Sequence, residues 1–408
     1  MVINDLKTAF PDLRGLSDDS SYRSRMNTWL DVYSGNPPWR SAKRSGLHSR
    51  GERRIGMLNA AKAICEEFTG LTLAEKFNFE ISVPEYQAYL EKVLERTRFQ
   101  SRLQKFVTDV YALGGGCIKL YATDGVPEVD FITAEKIFPV SFKSGKISEV
   151  IFRSQSYEDG HYITLLEKYK PNETQNLTFI SDNKLTIGNQ TVGSLGTINS
   201  KAAGIFSPFI TAASNNFDLD SPLGISIFAN CLDTLKAIDI AFDSLMREFI
   251  LGKKRIIVPA ASIQTVIDPD TGNLTRYFDS DDEAFVALKT EDNDTLKITD
   301  NTVELRVEEH ITAINALFNL LCFQVGVSSG TFSLSNGLHY YTKTATEVIS
   351  QNSKSARTIK CNQNALAETL TDILRGLITI GQVSGELNEE DFTLKVGFFD
   401  NVVTADTI

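Results

Sequence analysis

The chain has 408 residues, 42% hydrophobic and 23% charged, with a formal net charge of −11. Such a composition supports a sizeable core, arranged as two or three domains or as one large elongated unit. The acidity excludes a protein that grips nucleic acid over its whole surface, because Lys and Arg carry phosphate binding, but it permits one past which nucleic acid slides without sticking.

The start, MVINDLKTAFPDLRG, has no apolar signal core, and no run reaches ~18 consecutive apolar residues, so neither secretion by that route nor a membrane span is predicted. The five cysteines, at 65, 117, 231, 322 and 361, form no CxxC or zinc spacing. They suit a reducing compartment and are expected to be small core residues.

Residues 1–85 read as helical. SYRSRMNTWLDVYSGNPPW ends in a Gly-Asn-Pro-Pro break, and GERRIGMLNAAKAICEEFTGL follows as an amphipathic helix with Gly70 after its end. Between them, WRSAKRSGLHSRGERR sets Arg40, Lys43, Arg44, Arg50, Arg53 and Arg54 against one acid, Glu52. The run fits a phosphate- or partner-contacting arm, and equally a basic segment docked on an acidic neighbour. Residues 84–113 are predicted as one further helix, stopped by Gly114, Gly115 and Gly116. GGGCIKLY lacks the GxxxxGK[ST] spacing and runs into a strand rather than out of one, so it reads as a helix stop and turn.

From 117 to about 210 the period changes to short alternating runs. They are separated by Asp-Gly, Lys-Ser-Gly, Glu-Asp-Gly and Pro-Asn-Glu turns, the pattern of an antiparallel meander. Ser221 before Pro222 then signals the start of a long helix over 222–251, stopped by Gly252. Phe228, Leu232, Leu235, Phe242, Leu245 and Phe249 form its apolar seam, with Asp233, Lys236, Asp243 and Glu248 opposite.

Residues 255–300 return to strands, with DPDTGN as a hairpin tip and DSDDE, at 279–283, as a solvated acidic face. A second helix carries Ile311, Ile314, Leu317, Phe318, Leu321 and Val325 on one face. A polar connection of about seventeen residues follows, where two packed helices need only about 2–8. Thr344 and Glu347 form a capping box for a third long helix. Its first half is polar, and its second half has an apolar stripe at Leu366, Leu370, Ile373, Leu374 and Leu377. The last strand is DFTLKVGFFDN.

Catalytic patterns do not emerge. The histidines at 48, 161, 310 and 339 have no nucleophile at a recognised spacing, and GxSxG, HExxH and HxD sets are missing. No metal or cofactor is implied.

Three blocks carry a resemblance. NNFDLDSPLGISIFANCLDTLKAIDIAFDSLMREFILGKKRIIVP, LRVEEHITAINALFNLLCFQVGVSSGTFS and KTATEVISQNSKSARTIK, with WLDVYSGNPPW and LGGGCIKLY, resemble the portal (connector) proteins of tailed bacteriophages. The nearest likeness is to the portal or minor-capsid branch in phages of Gram-positive bacteria. The resemblance implies an α+β, ring-forming, elongated subunit with an antiparallel β wing, long stem helices, a small β-rich clip and a long kinked helix.

It divides the chain into N-terminal helices and wing (1–216), first stem helix (217–252), clip (253–302), second stem helix (303–326), tunnel loop (327–343), long helix (344–380) and a wing strand (381–408) short of a crown-like tail. It also implies a homo-oligomer, typically a dodecamer, at one capsid vertex of the virion, assembled in the host cytoplasm. Terminase would pump double-stranded DNA through the ring, whose other partners would be a head–tail adaptor, the major capsid protein and scaffold protein.

In the tunnel loop, Ser333, Ser335 and Asn336 would offer sequence-blind hydrogen bonds to phosphates, and His339, Tyr340, Tyr341 and Lys343 stacking surface and one cation. Lys253, Lys254 and Arg255, just past a helix C-terminus, complement its dipole or form a basic ring near the channel mouth. Two competing readings are a capsid or tail subunit that forms oligomers without passing DNA, and a metal-dependent nuclease using Asp281 and Asp282.

Overall fold

The computed structural model describes residues 6, 9–10, 20–46, 49–73, 77–182, 190–252, 255–259, 265–267, 274–276, 285–288, 299–301, 303–334 and 345–398. It is a mixed α+β fold with mainly antiparallel sheets. Helix α1 (Ser20–Tyr33) is followed by strands β1 (Ser41–Gly46) and β2 (Ser49–Arg54), then by helix α2 (Ala60–Thr72), strand β3 (Asn78–Ile81) and helices α3 (Pro84–Arg96) and α4 (Phe99–Leu113).

Three expectations for this region change. The basic run is a β-hairpin, not helix, paired from Ser41↔Arg54 to Gly46↔Ser49. Gly70 lies inside α2, which continues until the Leu73 amide donates to the Thr69 carbonyl at 2.8 Å. The single helix over 84–113 is broken: Thr97 Oγ1 donates back to the Val93 carbonyl, and Arg98 takes a left-handed φ of 49°. The bend carries Phe99 into the core against Phe77 and Phe131.

The meander is present as two sheets. Strands β4 (Gly115–Thr123) and β5 (Val126–Thr133) join β11 (Phe206–Ile210) in the order β11-β4-β5. Strands β6 (Ile137–Lys143), β7 (Lys146–Glu158), β8 (His161–Lys170), β9 (Glu173–Ser181) and β10 (Gln190–Asn199) form a five-stranded antiparallel sheet in sequential order. Its β6–β7 and β7–β8 hairpins, like that of β4 and β5, turn at residue pairs with positive φ: Asp124-Gly125, Ser144-Gly145 and Asp159-Gly160. That conformation matches the right-handed twist of the flanking strands. Lys119 of β4 pairs with Glu167 of β8, both buried, which ties one sheet to the other.

Helix α5 (Leu232–Leu251) begins ten residues later than Ser221-Pro222 predicts, after a short 3-10 turn at Ala229–Cys231. The Ser221 hydroxyl instead accepts the Leu223 amide in a local turn. Residues 223–226 are buried and non-helical, with the Tyr22 hydroxyl donating to the Gly224 carbonyl and the Ser226 hydroxyl donating to the Tyr111 carbonyl. Gly114, left-handed at φ 88°, lets this segment approach: a Cβ there would stand 2.5 Å from the Ile225 carbonyl carbon.

After α5 come strands β12 (Arg255–Pro259), β13 (Thr265–Ile267), β14 (Leu274–Arg276), β15 (Phe285–Leu288) and β16 (Thr299–Asn301). Strand β12 pairs parallel with β15 and antiparallel with β16, and β13 pairs with β14 as the hairpin that DPDTGN predicts, the tip itself lying outside the described residues. Helix α6 (Val307–Val325) returns antiparallel to α5.

Helix α7 (Ala345–Val383) runs 39 residues without interruption, and strand β17 (Leu394–Gly397) pairs with β3. The predicted α7 stripe is fully buried: Leu366, Leu370, Ile373, Leu374 and Leu377 are all 0% exposed. Each such side chain contributes roughly 1.5–3 kcal/mol by leaving water. The other face of the five-stranded sheet has its own small core, where Leu6 and Phe10 pack on Phe138, Val140, Ile151, Leu166 and Phe179. Four of the cysteines are buried as expected; Cys361 is exposed.

Candidate functional site

The α5–α6 pair is pinned at both ends. At one end Thr234 Oγ1 donates to Gln324 Oε1 at 2.8 Å. At the other, Arg306 reaches Glu248 through Nε at 3.1 Å, Nη2 at 3.0 Å and its own amide at 3.4 Å, with His310 Nε2 3.8 Å away. The Arg306 hydrogen bonds hold the Glu248 carboxyl down at about 2. Gly252 donates to the Glu248 carbonyl at 2.7 Å, and has no room for a side chain because Leu305 and that carbonyl occupy the space. Thus the two points where the chain enters and leaves the inserted strands are joined.

The seam of α5 differs from its prediction. Leu235 and Ile238 are buried, and so are Asp239 and Asp243, while Phe249 is exposed. Both carboxylates meet the base of the β1–β2 hairpin. Asp239 accepts Trp39 Nε1 at 2.9 Å and the Leu58 amide at 3.2 Å. Asp243 accepts both Arg53 terminal nitrogens at 2.7 Å and the Gly56 amide at 2.9 Å. Burial raises the Asp239 carboxyl, whereas the Arg53 hydrogen bonds lower that of Asp243. Ile240, Met246, Phe249, Ile250 and Leu251 of α5 remain on the surface, as do Leu320 and Phe323 of α6; Phe323 is 70% exposed. An apolar surface on both helices of one pair marks an interaction surface.

The segment after α6 does not leave it at once. Gly326 caps the helix with φ 83°, and Thr358 Oγ1 of α7 donates to its carbonyl at 2.7 Å. The Ser328 amide donates to Ser355 Oγ at 2.9 Å, and Lys354 Nζ donates to the Phe323 carbonyl at 3.2 Å and lies 4.6 Å from its ring centre. Then the chain doubles back. The Gly330 amide donates to Asn319 Oδ1 at 3.1 Å and the Leu334 amide to Asn315 Oδ1 at 2.8 Å, so later residues pair with earlier turns of α6. Phe332 packs against Phe318 at 6.4 Å between ring centres, over an apolar groove of about 270 Å³ shared with Leu58, Ala60, Ala63 and Ile64.

Ser333 belongs to this folded-back stretch, so residues 330–334 of the predicted tunnel loop lie back along α6. Ser335, Asn336, His339, Tyr340, Tyr341 and Lys343 lie outside the described residues, as do Lys253, Lys254, Thr344 and the DSDDE acids. Arg255 is the first residue of β12, its backbone opposite Asn301. Sequence reasoning missed Asp239, Asn315, Asn319, Ser355 and Thr358. One signal was present: Asp239 and Asp243 are one turn apart beside the apolar positions Leu235 and Ile238, where a carboxylate needs a buried partner.

Among the described residues no group of three or more His, Cys, Asp or Glu side chains is placed to hold a metal ion, and no helix is long and apolar enough to cross a membrane. Among proteins of curated function none matches the sequence. The family model of the phage portal protein, SPP1 Gp6-like, matches residues 16–408, which takes in the hairpin, both sheets, the α5–α6 pair and α7. The chain therefore belongs to the phage portal protein family, a structural component of the phage capsid.

Proposed function

We propose that this chain closes into a ring, typically of twelve subunits, at one capsid vertex, and that the ring is the channel through which terminase packages double-stranded DNA. The same channel retains the DNA, joins the head to the tail adaptor and releases the genome. The carrying observation is the α5–α6 pair, tied at both ends yet apolar on its outer faces. A pair of that kind fits head-to-tail packing against a neighbouring copy, the arrangement that generates rings. In this reading residues 253–302 are the clip, 327–343 the tunnel loop, and the sheets with the N-terminal helices the wing. Lys253, Lys254 and Arg255 then stand where the stem opens into the clip, and the residues from Ser335 to Lys343 reach the channel.

Native mass measurement with particle images tests this. A closed ring near twelve times 45.2 kDa, with a bore wide enough for duplex DNA, is the expected result. A stable oligomer without a bore would replace the channel by a purely architectural role.

A further inference from the structure

Between β11 and α5 the chain makes an excursion that the core does not require. Thr211 Oγ1, just past β11, donates to the Ile225 carbonyl at 2.8 Å, so residues 212–224 leave one point and return to it. The Tyr22 hydroxyl holds the returning end at the Gly224 carbonyl. Compact loops with joined ends, packed by their own side chains, are frequently functional. In this one residues 216–220, Asn-Phe-Asp-Leu-Asp, are all exposed. Leu219 is 89% exposed, more than any other large apolar side chain among the described residues, and Phe217 is 37% exposed.

A lone exposed leucine is ordinary. This one stands on a backbone that its neighbours hold in place. Asn215 Oδ1 accepts the Phe217 amide at 3.1 Å and the Asp218 amide at 3.0 Å, and Asn215 Nδ2 donates to the Leu223 carbonyl at 2.9 Å. Asp218 Oδ1 accepts the Asp220 amide at 3.1 Å, and the Ser221 amide donates to the Asp218 carbonyl at 3.4 Å. Phe217 packs on Trp29 of α1 at 6.4 Å between ring centres, with the Arg25 guanidinium 4.7 Å from its own ring centre. None of these contacts uses the Leu219 side chain; they order the backbone that presents it. A side chain presented on an ordered backbone binds without the entropic cost of ordering the loop.

The position of the loop points to its partner. Asn216 and Asn230 exchange amide hydrogen bonds at 3.1 Å in both directions, and Asn230 lies in the short turn ahead of α5. Ser214 and Asn230 share a cavity of about 330 Å³ with Gln324 of α6. The loop is therefore fastened to the end of the α5–α6 pair where Thr234 meets Gln324, and Phe323, next to Gln324, is 70% exposed. The outer surface of that pair is where a neighbouring copy packs in the portal reading, and the loop extends it.

We propose that the loop is a knob between subunits, with Leu219 inserting into an apolar socket of the neighbouring copy. This role rests on the portal reading, which supplies the neighbour, and adds a point of attachment outside the helices. Asp218 and Asp220 flank the leucine, so a basic rim on the socket complements it.

The experiment compares the full-length protein with Leu219→Ser and with Leu219→Met, which keeps an apolar side chain of similar volume. Mass photometry over a dilution series reads assembly, and thermal denaturation of dissociated subunits reads folding. Expected are an unchanged subunit Tm in both variants, assembly of Leu219→Ser weakened by about 10–100-fold per contact, the worth of one buried leucine, and near wild-type assembly of Leu219→Met. In the unaltered protein, hydroxyl-radical footprinting should find Leu219 oxidised in dissociated subunits and protected in rings, a readout that needs no variant to fold. Equal assembly of Leu219→Ser, or equal oxidation of Leu219 in rings and subunits, would overturn the proposal. So would a Leu219 open in rings but protected in complete particles, which would assign the knob to another capsid protein. Rings with a bore that are indifferent to Leu219 would remove only this inference; the lack of any ring would remove the portal reading itself.

Discussion

Arg53 and Asp243, 190 positions apart, meet through two bonds of 2.7 Å and fasten the hairpin to the stem helix. Asp243→Asn removes the charge from this partly buried pair and leaves the guanidinium facing a neutral amide. We expect a cost of about 2–3 kcal/mol, read as a lower urea midpoint. Asp239→Asn keeps an oxygen for Trp39 and should cost less. The pH dependences oppose each other. The Asp243 carboxyl is lowered in the folded state, so its contribution is present above the unfolded value near 4 and is lost as pH falls through the lower folded value. Burial raises the Asp239 carboxyl, so protonation on acidification relieves a cost there.

Gly114 should tolerate no side chain. Alanine would be strained at φ 88° and would collide with the Ile225 backbone, with a cost on the order of 2–4 kcal/mol. Gly70 is the control: its added Cβ meets nothing within 4 Å, and Gly70→Ala inside α2 should stabilise by up to about 1 kcal/mol. Thermal denaturation of the two variants should move in opposite directions.

Glu248→Gln should loosen the junction between the α5–α6 pair and the inserted strands. The marker is amide exchange at Gly252 and His310, whose hydrogen bonds end at the Glu248 and Arg306 carbonyls. The Glu248 carboxyl moves from 4.5 to about 2 on folding, so the difference between wild type and variant should be full above 4.5 and vanish as pH falls toward 2.

Asn315→Ala and Asn319→Ala each delete one acceptor that holds 330–334 against α6. Each should cost about 1 kcal/mol locally, seen as faster exchange at Leu334 or Gly330 with the global transition nearly unchanged. Exchange in both variants equal to wild type would mean that Phe332 alone anchors the segment.

What could be read from the sequence was what local pattern dictates. The α7 stripe repeats at three- and four-residue steps because one face is buried, and the meander alternates and turns at Asp-Gly and Ser-Gly because its hairpins need positive φ. Non-local partners hid the rest. The basic hairpin has no alternation to detect; two carboxylates about 190 residues later fix it. Ser221-Pro222 looks like a helix start, but the next residues are hydrogen-bonded to Tyr22 and Tyr111 and stay out of the helix. Arg98 breaks a helix without glycine or proline to announce it. For the site, the sequence marked the polar connection after α6 as unusual, but not that residues 330–334 lie back along the helix on Asn315 and Asn319.

Helix α7 is a beam about 58 Å long at 1.5 Å per residue, clamped at one end. Its grip begins at Ile359, the first buried position among its described side chains, and tightens through Asn362, Gln363 and Leu366. Ahead of that clamp, Lys354, Ser355 and Thr358 tether it to the end of α6. A load applied to the chain before α7 would therefore meet those three polar contacts before it reached the buried part of the helix.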